Sequence, residues 1–389
     1  MRIGVMTAAG QGNLGDELIL RQELEALRAL EPGADFTVFT YGRAPHLLDR
    51  TVDVRFVEYF PHGLLRRPFH NVALAWRNWR ELAACDHLVI GGGGLFFTRE
   101  GGRASRAMWH WALRVWAARW HRVPVTYVAL GVSLPGRALR SWKWLFSHPD
   151  TRVSVREPDV QRRLLALGVR ATLLPDPVFT LPKPSIRKGG GRVGLALRAG
   201  MLPDEAAAVR GMVAYLRDRG YEPVFVCHSA HPDDRASDDR AFLEPFAREL
   251  DVPLAATNAE ALACYPFLDF CVAMRLHAAI LSVRHGVPFL ALSYSDKTDE
   301  LLARLRWPHA LAAKAFDLPS FQRAFERLEG AQGAALLDLE GQAHRMAGTF
   351  QENFPKLFTH VGVHKMTLEA LDASFNKATK DFTVTVLAR

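Results

Sequence analysis

The sequence predicts an α/β protein made of two Rossmann-like domains with a cleft between them. Short runs of aliphatic and β-branched residues alternate with amphipathic helical segments, which is the pattern of parallel sheets joined by right-handed crossovers. One stretch, 182–191, interrupts this alternation with prolines, glycines and charged residues that are typical of a linker. We therefore predict an N-terminal domain at 1–181 and a C-terminal domain at 192–355.

Strand and helix signals follow one another regularly in the first domain. Its first helix is predicted from Leu20, Leu24 and Leu27, which lie at i, i+4 and i+7 and form one apolar face. The predicted strands of this domain are Arg2–Thr7, Phe36–Thr40, Val52–Val57, His87–Ile90, Val125–Leu130 and Arg152–Val155.

The alternation restarts after the linker. The predicted strands of the second domain are Arg192–Leu197, Glu222–Cys227, Phe270–Ala273 and Pro288–Leu292. Two such halves resemble the glycosyltransferase-B architecture, in which we expect ligands at the carboxyl ends of the strands, in the cleft. Residues 356–389 are predicted to be an appended tail of unassigned role, because four of the nine lysines fall there and its only arginine is Arg389.

Composition narrows the classes of protein and partner. The formal charge of +8 favours an anionic partner such as a phosphorylated substrate or a lipid headgroup. The four cysteines lie far apart, which argues against a zinc site or a disulfide scaffold and suits a reducing compartment. The N-terminus lacks the apolar core of a signal peptide, and no window approaches a membrane span. We expect a cytoplasmic protein that needs neither metal nor other cofactor.

Two glycine-rich segments follow predicted strands. Gly12-Asn-Leu-Gly-Asp-Glu17 opens the first helix, where free backbone N–H groups favour an anion; equally, Asn13 could serve as a plain N-cap, with Asp16 and Glu17 complementing the helix dipole. The run Gly91–Gly94 costs backbone entropy on folding, so close approach of a ligand to Gly92, Gly93 and Gly94 explains it better than a simple connector does.

Two basic segments complete the candidate site. Arg156 ends a strand at the cleft, where its guanidinium could bind phosphate or carboxylate, or could form an ordinary ion pair with Glu157. Arg275 and His277 lie at the N-terminus of a helix, off the apolar face formed by Leu276, Ala279, Ile280 and Val283. We expect both to serve chemistry and to be dispensable for stability.

Seven motifs in order resemble the polysaccharide pyruvyl transferase family over about residues 1–310. They are Gly12–Glu17, the glycine run with Leu95-Phe96, Ala129–Val132, Ser154–Glu157, Asp176–Phe179, Met274–Ala278 and Gly286–Phe289 with Ser293–Lys297. The segment 129–135 departs from the family pattern by lacking a common glutamine, and Glu157 replaces a common aspartate.

The resemblance implies transfer of pyruvate from phosphoenolpyruvate to two hydroxyls of a sugar or lipid-linked glycan, with release of phosphate and formation of a cyclic ketal. It also implies that Arg156, Arg275 and His277 hold the donor. Asn13, the glycine run and Lys297 are assigned to substrate binding. His277 is the predicted proton-transfer residue, and Asp16 or Glu17 is a weaker candidate base.

Other function classes fit the sequence less well. A nucleotide-sugar glycosyltransferase or epimerase would need a base-and-ribose pocket in the second domain, for which no signature is apparent. A non-catalytic glycan- or lipid-binding module would leave Arg275 and His277 without a role. Nucleic acid is not an expected partner, because no reader motif occurs and the basic residues are dispersed.

Tryptophan and arginine are concentrated in residues 103–122. One interpretation is an amphipathic helix that buries its tryptophans in the core. The other is a surface that contacts an anionic membrane, where Trp and Arg are both favoured. The mixed residues are Trp109, Trp111, Trp116 and Trp120 with Arg103, Arg106, Arg114, Arg119 and Arg122.

Overall fold

The computed structural model describes residues 1–41, 54–59, 68–97, 106–182, 189–231 and 237–358, together with the strands 365–371 and 377–383. Within these residues the chain forms two parallel sheets flanked by helices, which confirms the predicted fold class. None of the helices in the described ranges combines the length and the apolar character that crossing a membrane requires.

The first sheet has the strand order β3-β2-β1-β4-β6-β7-β8, with β5 paired to β6. Its strands are β1 Arg2–Met6, β2 Asp35–Thr40, β3 Val54–Glu58, β4 His87–Ile90, β5 Gly93–Phe97, β6 Val125–Ser133, β7 Thr151–Val155 and β8 Thr172–Leu173. The helices around it are α1 Leu14–Leu30, α2 Pro68–Ala83, α3 Arg106–Trp120, α4 Gly136–Ser141 and α5 Pro158–Ala166, with short 3-10 helices at Lys143–Leu145 and Pro177–Thr180. The strand order reverses between β1 and β4, which opens a crevice at the carboxyl ends of those strands.

The second sheet has the order β11-β10-β9-β12-β13-β14 and reverses between β9 and β12. Its strands are β9 Arg192–Ala196, β10 Glu222–Val226, β11 Leu254–Ala255, β12 Phe270–Ala273, β13 Phe289–Ser293 and β14 Ala310–Ala312. The helices are α6 Glu205–Asp218, α7 Asp239–Leu250, α8 Asn258–Cys264, α9 Leu276–His285, α10 Asp296–Leu305, α11 Leu318–Gly330 and α12 Gln332–Asn353, with 3-10 helices at Tyr265–Phe267, Ala313–Ala315 and Pro355–Leu357. A separate antiparallel pair, β15 Lys365–Leu371 and β16 Lys377–Thr383, lies in the predicted tail.

The two domains are joined by backbone hydrogen bonds at the turn that follows β1. Leu14 N–H donates to His228 O at 2.9 Å, and Ala230 N–H donates to Gly12 O at 3.0 Å. The apolar residues at the start of α1 also belong to the core cluster of the second domain. The turn after β1 therefore forms part of the interface, and most of the predicted linker, 183–188, lies outside the described residues.

Helix α12 runs from the second domain back to the first. Its first half packs in the core of the second domain, through Leu339 and its neighbours. Phe350, Phe354 and Leu357 instead join the cluster formed by β1, β2 and α1 of the first domain. Each is almost fully buried, and burying such a side chain stabilises a fold by about 1.5–3 kcal/mol. Leu357 and the partly buried Phe358, both assigned to the tail, thus contribute to an N-terminal core.

The tryptophans of α3 correct one interpretation of residues 103–122. Trp111 is buried at 2% exposure, but Trp109, Trp116 and Trp120 are 57%, 48% and 67% exposed. A core helix is therefore wrong for three of the four, because only the Trp111 face of α3 meets the sheet. The side chains of Arg103 and Arg106 lie outside the described residues.

Candidate active site

Several of the predicted site residues meet where α1 of the first domain faces α9 and α10 of the second. The Asn13 side chain caps α1 by accepting from the N–H groups of Gly15 at 2.9 Å and Asp16 at 3.3 Å. The capping interpretation of Asn13 is thus what the structure shows. Capping fixes the first turn and directs Asp16 inward, where burial raises the pKa of its carboxyl against the lowering effect of His277, Arg156 and Lys297.

His277 lies between Gly15 and Asp176. A Cβ on Gly15 would fall less than 3.0 Å from three atoms of the imidazole, so only glycine leaves room for the ring. The other face of the histidine approaches Asp176, with 3.5 Å between Nε2 and Oδ2. Burial alone would raise the pKa of Asp176, but His277 and Arg156 outweigh it and lower that pKa to about 2. The lowered pKa favours a carboxylate at Asp176, which lies next to the imidazole without a hydrogen bond to Nε2.

Arg156 is held by two carboxylates. Its Nε lies 2.7 Å from Glu157 Oε1, and its Nη1 lies 2.8 Å from Asp176 Oδ2. The ion pair with Glu157, one of the two sequence interpretations, is present. Burial disfavours the guanidinium, but the two acids outweigh it and raise the pKa of Arg156. Its charge is already compensated, so Arg156 fixes Asp176 and contributes little net charge to a ligand.

Lys297 supplies the uncompensated positive charge. It lies at the start of α10, and its ammonium contacts the backbone at Gly94, where a Cβ would clash with it. Among the described residues we find no ion pair of this ammonium within 4.0 Å. Burial, followed by Arg156, lowers the pKa of Lys297, while the more distant carboxylates of Glu157, Asp16 and Glu300 oppose that shift. A largely buried cation of this kind is ready to bind an anion.

The glycine run divides into two functions. The Gly92 N–H donates to Glu23 Oε1 at 2.7 Å, so this amide is committed to a buried carboxylate of α1. Gly93 has φ of 101°, in the left-handed region that favours glycine, and faces Asp16. Gly94 faces Lys297. The structure therefore brings Gly93 and Gly94 to the site, whereas Gly92 holds β4 against α1.

Arg275 occupies a different position from His277. Its guanidinium binds both carboxylate oxygens of Asp239 and the carbonyl of Ser237. Asp239 is only 1% exposed, and burial raises its pKa despite the guanidinium, so the carboxylate depends on Arg275 to stay ionised. This ion pair argues against the expectation that Arg275 is dispensable for stability, because removing the guanidinium would leave a buried carboxylate without its ion-pair partner.

Sequence reasoning missed three contributors to this site. Asp176 was only part of a family motif, although an Asp before Pro177 is a typical N-cap of a short helix, and it does cap one. Gly15 was noted for backbone approach and not for the imidazole. Gly131 was likewise only part of a family motif, Ala129–Val132, and a side chain there would clash with Arg156. Together the cluster offers a cation, an oriented imidazole and a carboxyl of raised pKa, which suit anion binding coupled to proton transfer.

Comparison with known proteins places this geometry in context. The model of the polysaccharide pyruvyl transferase family matches residues 13–296. A search of curated proteins finds no significant match. Among solved structures, HepE of Anabaena in complex with UDP and glucose has a TM-score of 0.63 at 11% identity, over 92% of this chain and 100% of that one.

Two further solved structures agree with that arrangement. A UGT transferase from Siraitia grosvenorii in complex with UDP has a TM-score of 0.55 at 13% identity, covering 91% of this chain and 99% of that one. The UDP-GlcNAc 2-epimerase of Methanocaldococcus jannaschii has a TM-score of 0.50 at 11% identity, over 84% and 92%. At these identities the likeness shows the fold alone, which is the glycosyltransferase-B arrangement of two Rossmann-like domains.

Proposed function

Because the chain belongs to the polysaccharide pyruvyl transferase family, we propose that it transfers pyruvate from phosphoenolpyruvate to two hydroxyls of a sugar. The acceptor is a cell-wall or exopolysaccharide precursor, and the products are a cyclic ketal and phosphate. The observation that carries the proposal is the largely buried ammonium of Lys297, which lies beside the glycine turn and forms no ion pair within 4.0 Å with any residue that the structure describes. Phosphoenolpyruvate supplies the missing negative charge.

The chemistry requires a proton on C3 of the enol and an anion clamp. Protonation of C3 leaves an oxocarbenium-like C2, which the first sugar hydroxyl attacks through its oxygen, and the proton of that hydroxyl returns to the group that protonated C3. The C2–O bond to phosphate then breaks, phosphate leaves with the bonding electrons, and the second hydroxyl closes the ring as its proton passes to the released phosphate. His277 moves the proton, Asp176 orients its ring, and Lys297 stabilises the departing phosphate. Asp16, with its raised pKa, is a second carrier of a proton at the same place.

The test is incubation with phosphoenolpyruvate and synthetic disaccharide acceptors, following phosphate release and product mass. Lys297→Met keeps the length of the side chain and removes its charge, so it should raise the KM for phosphoenolpyruvate at least tenfold. Lys314→Met, on an exposed 3-10 helix, is the matched control and should leave the KM unchanged. Normal kinetics in Lys297→Met would contradict the donor assignment.

A nucleotide-sugar glycosyltransferase or epimerase is the competing candidate, since the structural neighbours named above were solved with UDP or UDP-sugars. Thermal shift separates the two candidates, because a ligand that binds the native state raises the Tm. We expect phosphoenolpyruvate to raise the Tm and UDP-sugars to leave it unchanged. The reverse result would favour the nucleotide-sugar reaction.

We also propose that the acceptor is met at an anionic membrane surface. Residues 101–149 contain eight arginines and lysines and no aspartate or glutamate. The exposed tryptophans of α3 lie on this acid-free surface, and each basic residue near an anionic leaflet contributes about 1 kcal/mol. An anionic lipid surface would bind the aromatic side chains at its interface and would attract the positively charged residues of this segment.

Sedimentation with liposomes tests this contact. The protein should pellet with anionic and not with zwitterionic vesicles, and high salt should release it. Replacing Trp109, Trp116 and Trp120 with serine should weaken binding, whereas Leu337→Ser on exposed α12 should not. Arg114 and Arg119 are poor probes, because Arg114 packs over Tyr59 and Arg119 donates to a backbone carbonyl within the domain. Equal binding to both vesicle types would overturn the electrostatic part of the proposal.

A further inference from the structure

A cavity of about 350 Å³ opens beside the donor site, between the end of β6, the start of α5 and the start of α10. We infer that this cavity binds the acceptor sugar, with Glu157 and Glu300 accepting hydrogen bonds from its hydroxyls. The inference deepens the proposed function and rests on it for the identity of the reaction. The lining residues that carry the argument are Ser133, Glu157, Asp159, Asp296, Lys297 and Glu300.

The charge of the cavity selects the class of ligand. Four carboxylates line it against two cations, Arg163 and Lys297, although the chain as a whole is strongly basic. A phosphate- and carboxylate-bearing donor would be repelled from such a wall. A neutral polyol is favoured instead, because each of its hydroxyls can donate to a carboxylate oxygen. The volume lies at the lower end of that of small-molecule sites, about 300–1,000 Å³, and suits a ligand of one or two sugar rings.

Glu157 provides the observation that points to a ligand. Its side chain is more than nine-tenths buried; Oε1 is bound to Arg156, but Oε2 has no hydrogen-bond partner among the described residues. A buried acceptor left unsatisfied costs about 1–3 kcal/mol. Glu300, which also lines this cavity, has a second buried oxygen, Oε2, that no described residue hydrogen-bonds. A diol could therefore donate one hydrogen bond from each of its two hydroxyls to these two carboxylate oxygens.

The position of the cavity connects it to the donor. Glu157, Lys297 and Glu300 also line a small space of about 30 Å³ under Arg156 and Asp176, which has room for about one water molecule. The same three side chains therefore form the wall between the sugar cavity and the cluster around His277.

Two variants test the cavity without touching the donor machinery. Ser133→Phe fills the mouth of the cavity from an exposed strand end, and Glu300→Gln removes one free acceptor while keeping the shape of the side chain. Saturation-transfer NMR with methyl glycosides of common wall hexoses should show binding to the wild type and none to Ser133→Phe. Glu300→Gln should weaken the sugar signal, and Glu326→Gln on exposed α11 is the matched control.

Donor binding is measured separately as the Tm shift with phosphoenolpyruvate, which both variants should retain. With an acceptor that turns over, the KM for the sugar should rise at least tenfold in Ser133→Phe at an unchanged KM for phosphoenolpyruvate. If sugars bind equally to wild type and both variants, or to none of them, the cavity is not the acceptor site. Loss of the phosphoenolpyruvate shift in the wild type would instead contradict the proposed function.

Discussion

Gly15→Ala tests whether the position of the His277 ring matters for activity, because it displaces the ring without changing any charged group of the site. Alanine at a helix interior normally stabilises a protein by about 0.5–1 kcal/mol relative to glycine. Here the new methyl group would lie under 3.0 Å from ring atoms Nδ1, Cε1 and Cγ, while ordinary contact begins at 3.4 Å. The imidazole must therefore retreat by more than about 1 Å. A displacement of 1 Å at a reacting group costs on the order of 10²-fold in rate.

The assay is turnover of phosphoenolpyruvate with an acceptor, paired with thermal unfolding. We expect Gly15→Ala to lose on the order of 10²-fold in kcat while unfolding near the wild-type temperature. Gly348→Ala is the matched control, because this glycine lies in helix α12 with open space around it, and it should keep full activity. A double-mutant cycle completes the test, since adding Gly15→Ala to His277→Ala should cost nothing further. Wild-type activity in Gly15→Ala, or additive losses in the cycle, would refute the reasoning.

Three further changes test the buried charges. Arg275→Met should destabilise the protein by about 3 kcal/mol, and Asp239→Asn in the same chain should recover part of that loss in urea unfolding, because Asn still accepts the His228 amide. Asp176→Asn should lower the free energy of unfolding by about 2 kcal/mol at pH 7. Because folding lowers the pKa of Asp176, the wild type should lose this extra stability over the variant as pH falls from about 4 to 2. Glu23→Gln should show the opposite pH dependence. Because burial raises the pKa of Glu23, the variant should become more stable than the wild type as pH rises above about 4.5.

The longer strands were predictable because each is rich in aliphatic, aromatic or β-branched residues. Four of the described strands in the two parallel sheets were not predicted, for two physical reasons, and neither was the antiparallel pair β15 and β16 in the tail. β5 begins with glycines, which carry no strand propensity, and is defined by its pairing with β6. β8, β11 and β14 have only two or three residues, too few for any periodicity to show.

The site was predictable as a set of residues but not as a set of partners. The motifs that contain Asp16, Arg156, His277 and Lys297 each follow a strand or lie at its end. Because the carboxyl ends of parallel strands lie at the same edge of a sheet, these residues could be predicted to line one crevice. The partner of Arg275 lies 36 residues away at the start of α7, and no local signal links the two. Long-range pairing of this kind decides whether an arginine binds a ligand or an acid, and the sequence pattern does not contain it.

The return of α12 to the first domain determines when that domain can complete its core during translation. The ribosome completes residues 1–181 well before it reaches Phe350, Phe354 and Leu357, which cover the apolar surface over β1 and α1. At roughly 5–20 residues per second, these side chains emerge on the order of ten seconds later. During that interval the nascent first domain exposes apolar surface and is a natural client for cotranslational chaperones. The domain that is synthesised first is thus among the last parts of the chain to be finished.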